Sequence, residues 1–197
     1  MNNIIRLLAA GAATLIASAA SALGANFSFT GNFSGDDEVR LFGFTVASPS
    51  TVTLTTLSYG GGTNAAGAVI AAGGFDPVLS LFSSDGSLLS FNDDIDINTG
   101  SFDALIQQSL GVGSYTLALT QATSLPIGPD LAAGFSGSGA VNFNGLSSAF
   151  AVDILNVATA TTGQPPTPGV PDAGSTVALF VLSLGGLVGL RRFVKTA

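Results

Sequence analysis

Seven residues from Asn92 to Asn98, Asn-Asp-Asp-Ile-Asp-Ile-Asn, hold the densest oxygen chemistry in this chain. On an extended backbone, successive side chains alternate between faces, so Asn92, Asp94, Asp96 and Asn98 share one face and Asp93 takes the other. Amide and carboxylate oxygens at two-residue spacing are the hard ligands that Ca²⁺ prefers. The segment is not an EF-hand loop. With Asp94 as first ligand, the glycine position is Thr99 and the closing glutamate position is Leu105. Asp85, in an Asp-Gly turn, and Asp36-Asp37-Glu38, ahead of a strand-like run, are further donors that the fold can bring in. A second reading stands beside calcium: the same acids solvate turns and lower the isoelectric point.

Absent residue types exclude other chemistries. With no Cys and no His, the chain builds no Ser-His-Asp or Cys-His arrangement and no thiolate or imidazole zinc site. Carboxylate pairs alone serve as acid and nucleophile in glycosidases. The aromatic platforms that hold sugars are missing here, because there is no Trp and the only tyrosines are Tyr59 and Tyr115. Phe42, Phe44, Phe82, Phe91 and Phe150 lie in strand-like runs and read as core. The run Gly60-Gly61-Gly62 has no Gly-Lys-Ser/Thr after it and no nearby cation, so it reads as a flexible loop instead of a phosphate cradle. The expectation is a protein without enzymatic activity.

The elements that must position these acids are strands. Thr51 to Ser58 alternates hydroxyl and aliphatic side chains; Tyr115, Leu117 and Leu119 share a face, as do Phe150, Val152 and Ile154. Residues 39–46 form another run. Pro77 to Phe82 and Ser87 to Phe91 read as a hairpin whose tip, Asp85-Gly86, supplies the positive φ of a tight turn. Asp103 to Leu110 reads as one short helix. Short strands with Gly, Pro and Asp punctuation predict an all-β fold, an antiparallel β-sandwich or jelly roll, over residues 26–157. Residues 158–169, Ala-Thr-Ala-Thr-Thr-Gly-Gln-Pro-Pro-Thr-Pro-Gly, read as a semi-extended linker.

Both ends read as addresses. Met1 to Arg6, the Ala-rich run Leu7 to Ala22 and the small residues Ala20-Ser21-Ala22 make a secretory signal peptide within residues 1–25. Of the five basic residues only Arg40 falls in the exported body, against eleven acids, a net charge of −10. That surface repels phosphates and excludes nucleic-acid partners. A secreted body of this size buries a core without disulfides. At the other end, Val170-Pro171-Asp172-Ala173-Gly174-Ser175-Thr176 precedes an apolar run from Val177 to Leu190, then Arg191, Arg192 and Lys195. The run reads as a transmembrane helix, the cations remain cytoplasmic, and the motif is held just outside the bilayer.

This tail resembles the bacterial PEP-CTERM class of sorting signals, in the variant with V-P-D-x-G in place of P-E-P. The resemblance implies an exosortase-type processing enzyme as partner, a transient inner-membrane precursor, and delivery to the cell surface or extracellular matrix. The body carries a second resemblance. Residues 75–96, F-D-P-V-L-S-L-F-S-S-D-G-S-L-L-S-F-N-D-D-I-D, and 111–120, G-V-G-S-Y-T-L-A-L-T, look like the pre-peptidase C-terminal (PPC) domain. The run S-Y-G-G-G-T-N-A-A-G at 58–67 is similar to bodies of other PEP-CTERM proteins. PPC likeness implies a non-catalytic β-sandwich that binds surfaces, polymers or calcium. The expected role is a structural surface or matrix component, calcium-stabilised and associated with exopolysaccharide; the rival is a carbohydrate- or protein-binding adhesion module.

Overall fold

Alternating apolar and hydroxyl residues fold into two antiparallel sheets that face each other across a phenylalanine- and leucine-rich core. The computed structural model describes residues 24–96 and 98–163. The leader, the sorting motif Val170–Thr176, the apolar run after it and Arg191, Arg192 and Lys195 lie outside the described residues. Among the described residues, no helix is long and apolar enough to cross a membrane.

The strands are β1 (Ala25–Asn32), β2 (Arg40–Val46), β3 (Ser50–Thr56), β4 (Gly62–Thr63), β5 (Val69–Ile70), β6 (Pro77–Phe82), β7 (Leu88–Asn92), β8 (Leu105–Leu110), β9 (Gly113–Gln121), β10 (Ala149–Val157) and β11 (Thr159–Thr162). One sheet has the order β1-β10-β3-β8, the other β11-β2-β9-β6-β7, and β4 and β5 pair separately. The sandwich expected from the sequence is therefore present. Its core takes Val52, Leu54, Phe150, Val152 and Ile154 from the first sheet and Phe42, Phe44, Leu79, Leu81, Leu117 and Leu119 from the second. Each set has the two-residue period that puts apolar groups on one side of a strand.

Both outer faces are also covered in part; Phe91 of β7, which its strand-like run places in the core, is instead exposed on the outer face. Every residue of β6 is buried. Leu79 and Leu81 face the core, so Val78, Ser80 and Phe82 lie under the long β9–β10 connection. Phe135 of that connection packs edge-on against Phe82 at 6.3 Å between centroids. The connection is tied down by Leu88 N–H to the Pro129 carbonyl and Leu131 N–H to the Gly86 carbonyl, both 2.8 Å. Over the first sheet runs the glycine-rich segment of residues 57–74. Ala65 N–H donates to the Asp153 carboxylate at 2.8 Å and Ala66 N–H to the Ser28 hydroxyl at 3.1 Å. What reads in sequence as a flexible loop is a tied strap. At Gly61 (φ 69°) an added Cβ would meet Ala72 N at 2.6 Å and the Ile70 carbonyl at 2.7 Å, so the strap closes only around glycine.

Two elements differ from the sequence reading. Asp103 to Leu110 is not a helix: β8 pairs with β3 from Leu105↔Thr55 to Leu110↔Ser50. A two-turn helix is marginal alone, whereas the strand satisfies the open edge of β3 and buries Ile106 and Leu110 in the core. Thr159 to Thr162, at the start of the expected linker, instead pairs with β2 from Thr159↔Thr45 to Thr162↔Phe42. Gly163 N–H continues the ladder to the Leu41 carbonyl at 2.7 Å. The body thus extends at least to Gly163.

The acids are placed unevenly. The β1–β2, β3–β6 and β7–β8 connections meet at one end of the sandwich, and they carry Asp36, Asp37, Glu38, Asp76, Asp93, Asp94, Asp96 and Asp103. Eight of the eleven carboxylates of the body are therefore at one end. Several latch loops and are not free ligands. The Asp36 carboxylate accepts from Asn142 N–H at 3.1 Å and Phe143 N–H at 3.0 Å, and Asp37 accepts from Ser138 and Gly139 N–H at 2.7 Å each. Asp36 is buried, so Asp36→Ala should leave two donors without partners and cost about 2–3 kcal/mol. The urea midpoint measures this, and Asp37→Ala, at an exposed latch, should cost less.

Candidate metal centre

Two neighbouring strand ends build the centre. Asp76 immediately precedes β6, and Asp93 and Asp94 immediately follow β7. Pairing of Leu79 with Asn92 brings these ends together. One carboxylate oxygen from each of the three aspartates lies within 4.8 Å of the others. Each residue is half-buried, and in each the Oδ1 atom is buried without a hydrogen-bond partner. Buried carboxylate oxygens without partners are costly. Burial, followed by the charges of Asp93, Asp94 and Asp103, pushes the Asp76 carboxyl up to about 7. Burial and the Asp94 charge raise Asp93 as well.

The described body offers no basic side chain to offset this. Its one cation, Arg40, is engaged by Glu38 and by the Asn32 carbonyl at 3.2 Å. Its guanidinium also lies 5.9 and 5.7 Å from the ring centres of Phe33 and Phe150.

A hard divalent cation fits this donor set. Two oxygens on one Ca²⁺ lie at most about twice its 2.3–2.6 Å bond apart, and Ca²⁺ accepts the irregular geometry that three loop carboxylates offer. Carbonyls and water would complete the shell.

The structure sorts the residues singled out in sequence. Asp94 joins the triad. Asn92 supports it from behind, its amide donating to the Asp94 carbonyl at 3.1 Å and its Oδ1 accepting from Leu105 N–H at 2.7 Å. Asp96 and Asn98 do not line a face with them, because β7 ends at Asn92 and the chain turns. The Asp96 carboxylate accepts from Asn98 N–H at 3.0 Å and from the Asn98 amide at 3.2 Å, which holds it below the ordinary carboxylate range. Asp85 caps the β6–β7 turn at the opposite end of the sandwich. Hydrogen bonds from the Ser83 hydroxyl and Ser87 N–H hold it low.

Asp76 and Asp93 were not legible as donors from alternation. The hairpin held the signal: counting outward from the Asp85-Gly86 tip sets Asp76 opposite the residues just after β7. Asp103, beside the triad, is spoken for. It accepts from the Thr56 hydroxyl at 2.8 Å, Tyr59 N–H at 3.2 Å and Gly60 N–H at 2.8 Å. The glycine-rich run does cradle an anion, and that anion is the chain's own carboxylate.

Residues 169–192 match the VPDSG-CTERM motif, with Ala173 where the name of the motif has serine. The chain therefore carries a C-terminal sorting motif beside its β-sandwich body. The pre-peptidase C-terminal domain of a collagenase from Bacillus anthracis is a similar structure, at 11% identity and a TM-score of 0.37, over 71% of this chain and 91% of that one. No curated protein matches the sequence.

Proposed function

We propose that this chain is an exported, non-catalytic structural protein of the cell surface or extracellular matrix, cut at its C-terminal sorting motif by an exosortase-type enzyme. The observation that carries this reading is the motif at residues 169–192. Its Val170–Thr176 segment stands immediately before the apolar run Val177 to Leu190, which Arg191, Arg192 and Lys195 follow. Such a run enters the bilayer with its cations on the cytoplasmic side. The precursor is then held in the inner membrane with its body outside, and cutting near Val170–Thr176 releases it for the surface or for an exopolysaccharide matrix. Ca²⁺ at Asp76, Asp93 and Asp94 stabilises the body there; the orphaned carboxylate oxygens support that part of the reading.

Mass spectrometry of the extracellular protein tests the processing step. The last peptide should end upstream of Val177, and Pro171→Ala with Asp172→Ala should trap full-length protein in the inner membrane. An intact peptide ending at Ala197 on extracellular material would defeat the proposal.

A further inference from the structure

Strand β11 changes how far the body can stand from its own sorting motif. Its ladder to β2 holds the chain through Gly163, whose N–H meets the Leu41 carbonyl at 2.7 Å. Only Gln164 to Gly169 separate that residue from Val170. Covalent geometry limits the distance from Gly163 to Val170 to about 25 Å, however the segment is arranged. A body of this size is roughly 35–40 Å across by the usual compactness scaling. The body therefore cannot retreat by its own width from an enzyme that holds Val170–Thr176 at the membrane surface.

Direction follows from topology. β11 runs antiparallel to β2, so Thr162 and Gly163 lie beside the start of β2 at Arg40. That is the end where the β1–β2, β3–β6 and β7–β8 connections meet.

We propose that the processing enzyme cuts the tail while facing this end of the folded sandwich, and that pairing of β11 with β2 sets the reach. The inference rests on the processing reading above and adds to it the surface that meets the enzyme and the element that spaces it. A tether long enough to reach supports cutting as an intramolecular event, and one that cannot span the gap supports almost none. Released from β2, β11 would return five residues, Thr159 to Gly163, to the tether.

The test uses the full chain in its own host. Deleting residues 165–168 should lower tail removal by about tenfold or more, because it cuts the greatest Gly163–Val170 distance to about 11 Å and crowds the folded body against the enzyme. Adding Thr161→Pro to the deletion should restore cutting. Gly163 N–H points at β2, so Thr161 N–H, two residues back, points the same way, and proline removes that donor. Thr161 is exposed, so the core is untouched; a thermal melt confirms that the body stays folded. Inserting Gly-Ser-Gly-Ser after Gly163 in the deletion variant should also restore cutting. Parental processing of the deletion variant overturns the inference. Restoration by the insert but not by Thr161→Pro also overturns it, since spacing would then matter without β11 setting it, and restoration by neither overturns it too. A parent chain that keeps its tail defeats the processing reading itself, which is a different result.

Discussion

Ca²⁺ at a hundredfold excess over its dissociation constant is expected to stabilise the exported body by about 2.7 kcal/mol, roughly 8–10 °C in melting temperature for a domain of this size. Mg²⁺ should do less, because it demands a tighter octahedron and sheds water reluctantly. NaCl at matched ionic strength should reproduce only the screening of a −10 body. The double change Asp93→Asn and Asp94→Asn should abolish the calcium response, while Asp96→Asn and Asp85→Asn leave it intact. Without calcium, the same double change should raise the melting temperature at pH 7–8, because it removes repulsion among buried carboxylates.

A merely solvated acidic surface instead predicts equal stabilisation by Ca²⁺, Mg²⁺ and NaCl at matched ionic strength. The pH dependence separates the two further. Asp76 binds its proton more tightly folded than unfolded, since its carboxyl rises from 3.8 to about 7. Its contribution to stability is fully present below 3.8, falls through the window and is gone above about 7. The full shift corresponds to about 4 kcal/mol, which solvent screening of a half-exposed carboxyl reduces to about 1–2 kcal/mol. Calcium binding needs the carboxylates deprotonated, so its gain grows across the same window. Melts in calcium and in chelator should therefore diverge as pH rises from 5 to 8. Parallel curves, or equal shifts in Ca²⁺, Mg²⁺ and NaCl, would sink the metal centre.

Some of this architecture is plain in the sequence because its cause is local. The two-residue period of Thr51 to Ser58, of Tyr115, Leu117 and Leu119, and of Phe150, Val152 and Ile154 follows from one buried face per strand. The Asp85-Gly86 tip follows from the positive φ of Gly86, at 88°. What the sequence did not display has distant causes. β8 is extended because β3 has an edge to fill, and β11 because β2 has one; nothing in Leu-Ile-Gln-Gln-Ser-Leu or Thr-Ala-Thr-Thr announces the neighbour. The glycine-rich strap is ordered by Asp153 and Ser28, which lie 88 and 38 residues from the amides they accept from. The triad failed to show for a related reason. Alternation groups Asp96 and Asn98 with Asp94 only while the strand continues, and β7 ends at Asn92. The true partner, Asp76, lies one hairpin away.

Asp103→Ala should be among the most damaging single substitutions at the acidic end, at about 2–4 kcal/mol. Two effects oppose each other there. The carboxylate accepts from the Thr56 hydroxyl, Tyr59 N–H and Gly60 N–H. Thr56 in turn accepts from Ala104 N–H at 2.9 Å, so one side chain ties the end of β3, the root of the strap and the start of β8. Alanine leaves the buried Thr56 hydroxyl and the part-buried Tyr59 and Gly60 N–H groups without that acceptor. Against this, the Asp103 charge is the last of the causes that raise Asp76, behind burial and the nearer charges of Asp93 and Asp94. Relief of that repulsion acts through space and is screened, so the lost hydrogen bonds should win. Asp103→Asn should cost less, about 1–2 kcal/mol, since one oxygen still accepts while the new amide meets a donor. It should also bring the Asp76 carboxyl down, which carboxyl NMR titration reads directly. The urea midpoint decides the balance at pH 7 without calcium. An Asp103→Ala body as stable as the parent would mean that charge repulsion, and not the hydrogen-bonded root of the strap, governs this end of the sandwich.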